Sequence, residues 1–243
     1  MKILFLSDTH GAKFHTKLKI PECDVIVHSG DIGGRTNLIE LGEFLVWYES
    51  LNVPIKIWTA GNHDIILDKD WVERQKFKNP IQGMIAEQQY NDGQELIKKI
   101  KTIYLLNSEF VHDGIKFWGS PYSPSFHREY WAFNADRGEE IKKYWDLIPN
   151  DVDVLITHSP SKYILDRCLS DGFNAGCEEL NKKINEIQPL IHSFGHIHEG
   201  YGTKLQNKTL CINASVLNFN YQLTNKPILV QVDNEKKVNL IEY

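Results

Sequence analysis

The sequence predicts an α/β fold built on a parallel sheet, and three observations support this. Five short apolar segments have the length of buried strands, and each one stops in Asp, Asn or His. A segment with helical periodicity separates the second strand from the third, which implies parallel strands joined by a right-handed crossover. Hydrophobic residues make up 42% of the 243 residues, enough for a full core, and we expect one domain spanning residues 1–243.

The five strand candidates end in side chains that commonly bind metal ions. Asp8 and His10 follow the first strand and fall on the same side of it, because successive residues of an extended segment alternate. A single histidine after a strand has a structural explanation, but open α/β sheets gather their ligands at the carboxyl ends of several strands. With their polar ends included, the five segments are residues 2–10, 25–31, 55–64, 152–158 and 190–198.

The first helix is predicted to begin after a capping Thr36 or Asn37 and to end before Pro54. Its apolar residues recur with the period of about 3.6 that a helix requires: Leu38, Leu41, Leu45 and Tyr48. Further helices are expected over residues 94–101, 136–145 and 177–187. Further strands are expected over residues 103–106, 109–112, 115–118, 209–212, 228–232 and 238–241.

The loop over residues 119–133 combines two prolines with five aromatic side chains. Such a composition favours a rigid lid or a wall on the substrate side over a solvated linker. We expect Phe126 and Trp131 to offer surfaces on which a base can stack, with Pro121 and Pro124 limiting their motion. The alternative is that these aromatic residues pack into the core.

Composition excludes several classes of protein. A net charge of -5 argues against an extended nucleic-acid-binding surface. The four cysteines are widely spaced and predict free thiols in a reducing compartment. The apolar start is too short for a signal peptide, and no stretch approaches the ~20 apolar residues of a membrane span. We therefore expect a cytoplasmic protein without membrane contact, while the sequence does not indicate its oligomeric state.

The residues at the strand ends predict a site for two metal ions. Their number exceeds the four ligands of one tetrahedral ion, whereas two ions that share a carboxylate would each receive about four. Donors that are nitrogen and oxygen without thiolate suit manganese, iron, zinc, cobalt or nickel, and manganese is the first ion to try in assays. The expected ligands are Asp8, His10, Asp31, Asn62, His158, His196 and His198.

The ordered motifs resemble those of the calcineurin-like metallophosphoesterases. They are Asp8-Thr9-His10, Gly30-Asp31, Gly61-Asn62-His63-Asp64, Thr157-His158 and Gly195-His196-Ile197-His198. The flanking segments are similar to one branch, the metallophosphoesterase-domain-containing proteins of the brain-expressed type. These segments are Arg137-Gly138, Trp145-Asp146-Leu147-Ile148-Pro149, His198-Glu199-Gly200-Tyr201-Gly202 and Ile212-Asn213-Ala214-Ser215.

The resemblance implies a four-layer α/β/β/α sandwich with phosphodiesterase or phosphomonoesterase activity. It also implies roles for the ligands: one ion is bound by Asp8, His10 and His198, the other by Asn62, His158 and His196, and Asp31 bridges them. One position departs from the family pattern. Many members carry a second acidic residue three positions after the bridging aspartate, where this chain has Gly34.

The activity expected from this site is hydrolysis of a phosphoester by a water that two divalent ions activate. The leading hypothesis is a phosphodiesterase for small nucleotide diesters such as cyclic nucleotides. His63, oriented by Asp64, is suited to donate a proton to the leaving oxygen. The alternative is that His63 only positions Asn62 or the phosphate. The alternatives are a phosphomonoesterase acting on proteins or small molecules, and a catalytically silent metal-binding scaffold.

Overall fold

The computed structural model describes residues 1–243 and contains two six-stranded sheets and a two-stranded one. The strands are β1 Lys2–Leu6, β2 Val25–His28, β3 Ile55–Trp58, β4 Ile103–Tyr104, β5 Ser108–His112, β6 Ile115–Ser120, β7 Ser123–Pro124, β8 Asn134–Ala135, β9 Val154–Thr157, β10 Ile191–Phe194, β11 Gly202–Gln206, β12 Thr209–Asn213, β13 Ile228–Val232 and β14 Val238–Ile241. The helices are α1 Ala12–His15, α2 Leu38–Ser50, α3 Lys69–Lys78, α4 Pro80–Lys99, α5 Glu139–Trp145 and α6 Glu178–Ile187.

Each large sheet has a parallel centre; the first has an antiparallel edge on one side only, and the second has one on both sides. The first sheet has the order β14-β13-β1-β2-β3-β4, with β1 to β4 parallel. The second has the order β11-β12-β10-β9-β6-β5, with β12, β10, β9 and β6 parallel. In each sheet, the carboxyl ends of the parallel strands therefore point the same way and lie side by side, as predicted.

The two sheets pack face to face and are covered on both outer faces by helices. Phe5 and Val27 of the first sheet belong to the same buried cluster as Phe117 and Ile156 of the second. On the outer face of the first sheet, α2 contributes Leu41, Phe44, Leu45 and Tyr48 to another cluster. On the outer face of the second, α5 and α6 contribute Ile141, Trp145, Leu180 and Ile184. This is the expected α/β/β/α sandwich, and its central layer is apolar because β strands buried on both faces need apolar residues throughout.

Helix α2 forms as its sequence predicts. The side chain of Asn37 accepts hydrogen bonds from the backbone of Ile39 and Glu40, and the Glu40 carboxylate bonds back to the backbone of Asn37. This reciprocal capping satisfies N–H groups that the first helical turn leaves without partners. The hydroxyl of Tyr48 donates to the carbonyls of Ile26 and Ile57 and so attaches α2 to β2 and β3.

The helix predicted over residues 94–101 is only the end of a longer element. Helix α4 begins at Pro80, after Asn79 caps its first turn, and runs to Lys99. Sequence periodicity missed its first half because Ile81 and Met84 point to solvent, 72% and 69% exposed, which blurs the apolar face. Helix α3 was also not predicted, although Asp68 caps it through the backbone N–H of Asp70.

Two further differences concern the first residue of helix α5 and an edge strand of the second sheet. Helix α5 begins at Glu139 rather than at residue 136, because Gly138 takes a φ of +84° just before it. Strand β11 is a largely polar edge strand that the alternation of apolar residues does not mark. All four cysteines are free. No helix combines the length and the apolar character that crossing a membrane would require.

Candidate metal centre

The loops after β1, β2, β3, β9 and β10 meet where the two sheets are joined. The hydroxyls of Ser29 and Ser193 are 2.8 Å apart, one from each sheet, and Ser7 forms a bridge with Ser215. All seven predicted ligands lie at this junction. Six of them form two groups in which the donor atoms are within 4.8 Å of one another: Asp8 with His10 and His198, and Asp31 with His158 and His196.

The first group presents two imidazole nitrogens to each other. The Nε2 atoms of His10 and His198 are 3.3 Å apart, and His198 Nε2 is 3.4 Å from Asp8 Oδ1. The Nδ1 atom of His10 lies 3.2 Å from the carbonyl of Gly33, and that of His198 lies 3.1 Å from the carbonyl of Asn218. Because a carbonyl only accepts, each Nδ1 carries the proton and each Nε2 is available as a ligand.

The second group is arranged around His158. Its Nε2 atom is 3.3 Å from Asp31 Oδ2 and 2.9 Å from Asn62 Oδ1. Its Nδ1 atom lies 3.0 Å from the carbonyl of Ser29, so Nε2 is again the nitrogen that faces the other ligand candidates. The ring of His196 lies beside that of His158, with centroids 5.0 Å apart. Asn62 thus lies beside the second group.

Burial sets the charge state of these rings. It lowers the pKa of His10 to about 4 and that of His196 to about 3, so both rings are neutral near pH 7 and can bind a metal. Burial also disfavours charge on His158, but the Asp31 carboxylate outweighs it and raises the pKa of His158 to about 9. A metal ion bound there would therefore displace a proton.

Four of the predicted ligands have a backbone conformation that is rare outside glycine. The φ angles of Asp8, His10, Asp31 and His196 are +55°, +44°, +57° and +65°. Such strain is typical of functional sites, where the surrounding structure enforces it. The side chains of Asp8 and Ser7 leave no room for a side chain at Gly195, where a Cβ would lie 1.9 Å from Asp8 Oδ2 and 2.3 Å from Ser7 Oγ. The glycine in the last motif is thus required by the close approach of Asp8.

His63 lies at the edge of the centre. Its Nε2 atom is 3.9 Å from Asp31 Oδ2, its ring is 4.6 Å from that of His10, and its Nδ1 contacts the carbonyl of Gly34. Because a carbonyl only accepts, Nδ1 donates to Gly34 and Nε2 is turned towards the metal centre. Gly34, which has no side chain to offer, thus takes part in the site through its backbone carbonyl.

The expectation that Asp64 orients His63 is wrong. The Asp64 carboxylate is fully buried and accepts hydrogen bonds from the backbone of Gly61, Asp31 and Ile32, and from the hydroxyl of Thr36. These partners use its lone pairs and turn it away from the imidazole. Its contribution is to tie the turn that carries Asp31 to the turn that carries Asn62.

The aromatic loop is divided between the site and the core. Trp131 packs on His63 with centroids 4.1 Å apart, and Phe126 lies 5.4 Å from His196. Tyr122 instead stacks on Tyr144, and Phe133 is buried. Trp131 and Phe126 therefore lie beside the donors, whereas Tyr122 and Phe133 pack as the alternative expected; a role of the first two in substrate binding stays a prediction.

Sequence analysis missed three aromatic residues beside the centre. The ring of Tyr221 is 5.0 Å from those of His10 and His198. Together with Phe173 and Phe219, it lines a cleft of about 580 Å³ that also includes Phe126. No motif marks these residues, because they come from loops far apart in the chain. By contrast, His15, His28, His112 and His192 lie outside the two donor groups, and also outside a third group that joins His10 and Asp31 to His63.

The donor set fits divalent cations. Two buried Nε2 lone pairs facing each other at 3.3 Å repel unless a cation or a proton lies between them. Each histidine of the first group also has its second nitrogen held by a backbone carbonyl, the support typical of metal-binding histidines. All donors are nitrogen or oxygen, which is compatible with any of the metals considered above.

Comparisons with known proteins agree with this arrangement. Residues 1–200 match the model of the calcineurin-like phosphoesterase family. Metallophosphoesterase domain-containing protein 1 of Homo sapiens is 36% identical over 236 residues, which cover 95% of this chain and 71% of the human protein. A UPF0046 protein of Caenorhabditis elegans is 32% identical, with 96% and 75% covered. The solved structure of phosphopantetheinyl hydrolase from Mycobacterium tuberculosis superposes with a TM-score of 0.62 at 13% identity, covering 99% of this chain and 95% of that one.

Proposed function

The chain belongs to the calcineurin-like phosphoesterase family, a family of metal-dependent hydrolases, and from that premise we propose that it is a phosphodiesterase acting on small nucleotide diesters. Cyclic nucleotides are the first candidates. The observation that carries the proposal is that two donor groups converge beside His63 and beside an aromatic wall formed by Trp131 and Phe126. A base can stack on that wall while the phosphate lies at the donors.

The proposed ligand assignment follows the two groups of donors. Asp8, His10 and His198 hold one ion, and Asn62, His158 and His196 hold the other. Asp31 serves both, and its position supports this, since Oδ2 is 3.3 Å from His158 Nε2 and 3.8 Å from His10 Nε2. When bound, the ions supply positive charge that stabilises phosphoryl oxygens and lowers the pKa of the attacking water. Their identity is left open, with manganese as the first to test.

His63 is the proposed proton donor to the leaving oxygen. Its Nδ1–H is held by the carbonyl of Gly34, which leaves Nε2 facing the centre. The ring is further held by Trp131 on one side and by His10 on the other. An imidazole held at both its ring and its far nitrogen can present a proton in a constant direction, which general-acid catalysis requires.

The test is a rate panel on protein loaded with Mn²⁺. Bis(p-nitrophenyl) phosphate, p-nitrophenyl phosphate and 2′,3′- and 3′,5′-cyclic nucleotides are compared under identical conditions. A phosphodiesterase hydrolyses the diesters with a higher kcat/KM than the monoester. A faster monoester would instead identify a phosphomonoesterase, and a metal-loaded protein inactive on the whole panel would identify a scaffold.

A further inference from the structure

The cleft beside the metal centre is lined by aromatic rings that remain about half exposed. Phe126, Phe173, Phe219 and Tyr221 line it, and they are 43%, 53%, 52% and 49% exposed. Rings of this size rarely remain half exposed around one concave surface unless that surface binds something apolar. The cleft volume of about 580 Å³ is within the range of small-molecule sites.

The cleft is continuous with the metal centre. His196 and His198 line it and also belong to the two groups of donors. Phe126 approaches His196 and Tyr221 approaches His198, with centroids 5.4 Å and 5.0 Å apart. His63 is not among the lining residues. A phosphate bound at the metal centre would therefore have His63 on one side and the aromatic cleft on another side.

The charges around the cleft favour an uncharged group over a second phosphate. Arg137 is the one lining side chain with a fixed positive charge. Its guanidinium donates to the carbonyls of Gly176 and Ala175, at 2.8 Å and 2.7 Å, and forms an ion pair with Glu178. Glu199 adds a carboxylate to the lining. Glu178 also pairs with Lys162 at 3.1 Å, and the Lys162 ammonium lies 4.7 Å from the Phe173 ring centroid. The two cations are thus balanced by Glu178 and Glu199, and the cleft suits an uncharged group.

We infer that this cleft binds a neutral aromatic ring, a nucleobase or an aryl group, attached to the ester oxygen that stays on phosphorus. The inference rests on the proposed phosphodiesterase function and names the substrate more narrowly: a cyclic or open diester of one phosphate, with the aromatic group on the side that stays on phosphorus and no further phosphate. A bond forms between the water oxygen and phosphorus while the bond to the leaving oxygen breaks. His63 supplies a proton to that oxygen, the water releases one to solvent, and the aromatic group leaves as a phosphate monoester.

The experiment uses substrates with one leaving group and different retained groups. Phenyl p-nitrophenyl phosphate is compared with methyl p-nitrophenyl phosphate on the Mn²⁺-loaded protein. For Phe219→Ala and Phe173→Ala, we expect KM for the phenyl ester to rise about tenfold more than KM for the methyl ester, in line with the loss of aromatic stacking. Phe77→Ala is the matched control, because Phe77 is 93% exposed and lies outside the cleft, and it should change neither KM.

A charged substituent tests the second part of the inference. A p-carboxyphenyl retained group should lose most of the advantage of phenyl over methyl, because the cleft has no free cation for it. Equal rises in KM for the phenyl and methyl esters in both variants would overturn the aromatic subsite. Tighter binding of the carboxyphenyl ester than of the phenyl ester would overturn its neutrality.

A binding measurement separates this inference from the proposed function. Calorimetry should show phenylphosphonate binding the metal-loaded protein more tightly than methylphosphonate, and Phe219→Ala should remove this preference. If no diester is hydrolysed but the preference is present, the phosphodiesterase proposal fails and the aromatic subsite stands. If diesters are hydrolysed and the preference is absent, the subsite fails and the phosphodiesterase proposal stands.

Discussion

Asp31 is the one carboxylate within reach of both donor groups and of His63. Its Oδ2 atom is within 3.9 Å of the Nε2 atoms of His10, His63 and His158. Although burial opposes its charge, His158 and the other neighbouring histidines hold the pKa of Asp31 well below its usual range. Asp31 is therefore ionised throughout the physiological range and available to two cations at once.

Asp31→Ala should lose both metal ions rather than one, since each proposed ion would be left with too few ligands and without its shared negative charge. The measurement is metal content per chain after dialysis, by atomic emission. Asp70→Ala, which removes an exposed carboxylate from α3, should keep the full content. Two ions retained by Asp31→Ala would contradict the bridging role.

His63→Asn keeps a hydrogen-bonding side chain but removes the proton that can be transferred. If His63 protonates the leaving oxygen, the variant should retain both metals and lose on the order of 10²-fold in kcat on a nucleoside diester. On a p-nitrophenyl ester the loss should be much smaller, because nitrophenolate leaves readily as an anion. Equal losses on both substrates would point to electrostatic stabilisation instead, and a lost metal would make His63 a structural support.

The turns after the strands are held by groups outside the ligand set. Asp64 accepts from three backbone N–H groups in the turns after β2 and β3. Asn225 donates its side-chain N–H to the carbonyl of Ser215, beside the bridge that Ser215 forms with Ser7. Each element therefore reaches the centre in one orientation because neighbouring turns are bonded to each other.

Within β10, the buried His192 should make the protein sensitive to acid. Its Nε2 is 2.8 Å from the hydroxyl of Thr157, and burial lowers its pKa to about 3. The unfolded chain takes up a proton below its ordinary pKa of about 6.5, whereas the folded chain does not, so stability falls as pH drops from that value towards 3. At pH 5 this one residue should cost about 2 kcal/mol.

His192→Gln should remove that contribution. Urea unfolding at pH 7 and pH 5 should show a smaller decrease in the free energy of unfolding for the variant than for the original protein, by about 2 kcal/mol. Thr203→Ala, an exposed substitution without a titrating group on β11, should leave the decrease unchanged. A decrease of the same size in His192→Gln would show that His192 is protonated in the folded state.

At the scale of the molecule, the central apolar layer makes the two sheets depend on each other. Val25 and Val230 of the first sheet and Val154 and Ile191 of the second are fully buried in the same cluster. Separating the sheets would expose this layer to water and would also divide the donors, since Asp8 and Asp31 follow strands of one sheet and His158 and His196 follow strands of the other.

We therefore expect residues 1–243 to unfold as one domain. Differential scanning calorimetry of the metal-free protein should give a single transition whose calorimetric and van't Hoff enthalpies agree. Two resolved transitions would show that the sheets are separate folding units and would contradict the prediction of a single domain.

The sequence by itself determined which strands carry the chemistry. The ligand types at the ends of β1, β2, β3, β9 and β10 follow local apolar runs, and helix α2 follows its own cap and periodicity. Such features depend on residues close together in the chain, so a single sequence displays them.

The tertiary structure decided which atoms are free to react. Only the fold shows that Asp64 faces backbone N–H groups instead of His63, and that carbonyls of Gly33 and Asn218 leave the Nε2 atoms of His10 and His198 as donors. It also brings Phe126, Phe173 and Phe219 to one cleft. These contacts join residues from separate loops, and their energies arise only after the sheets have packed, so no local pattern records them.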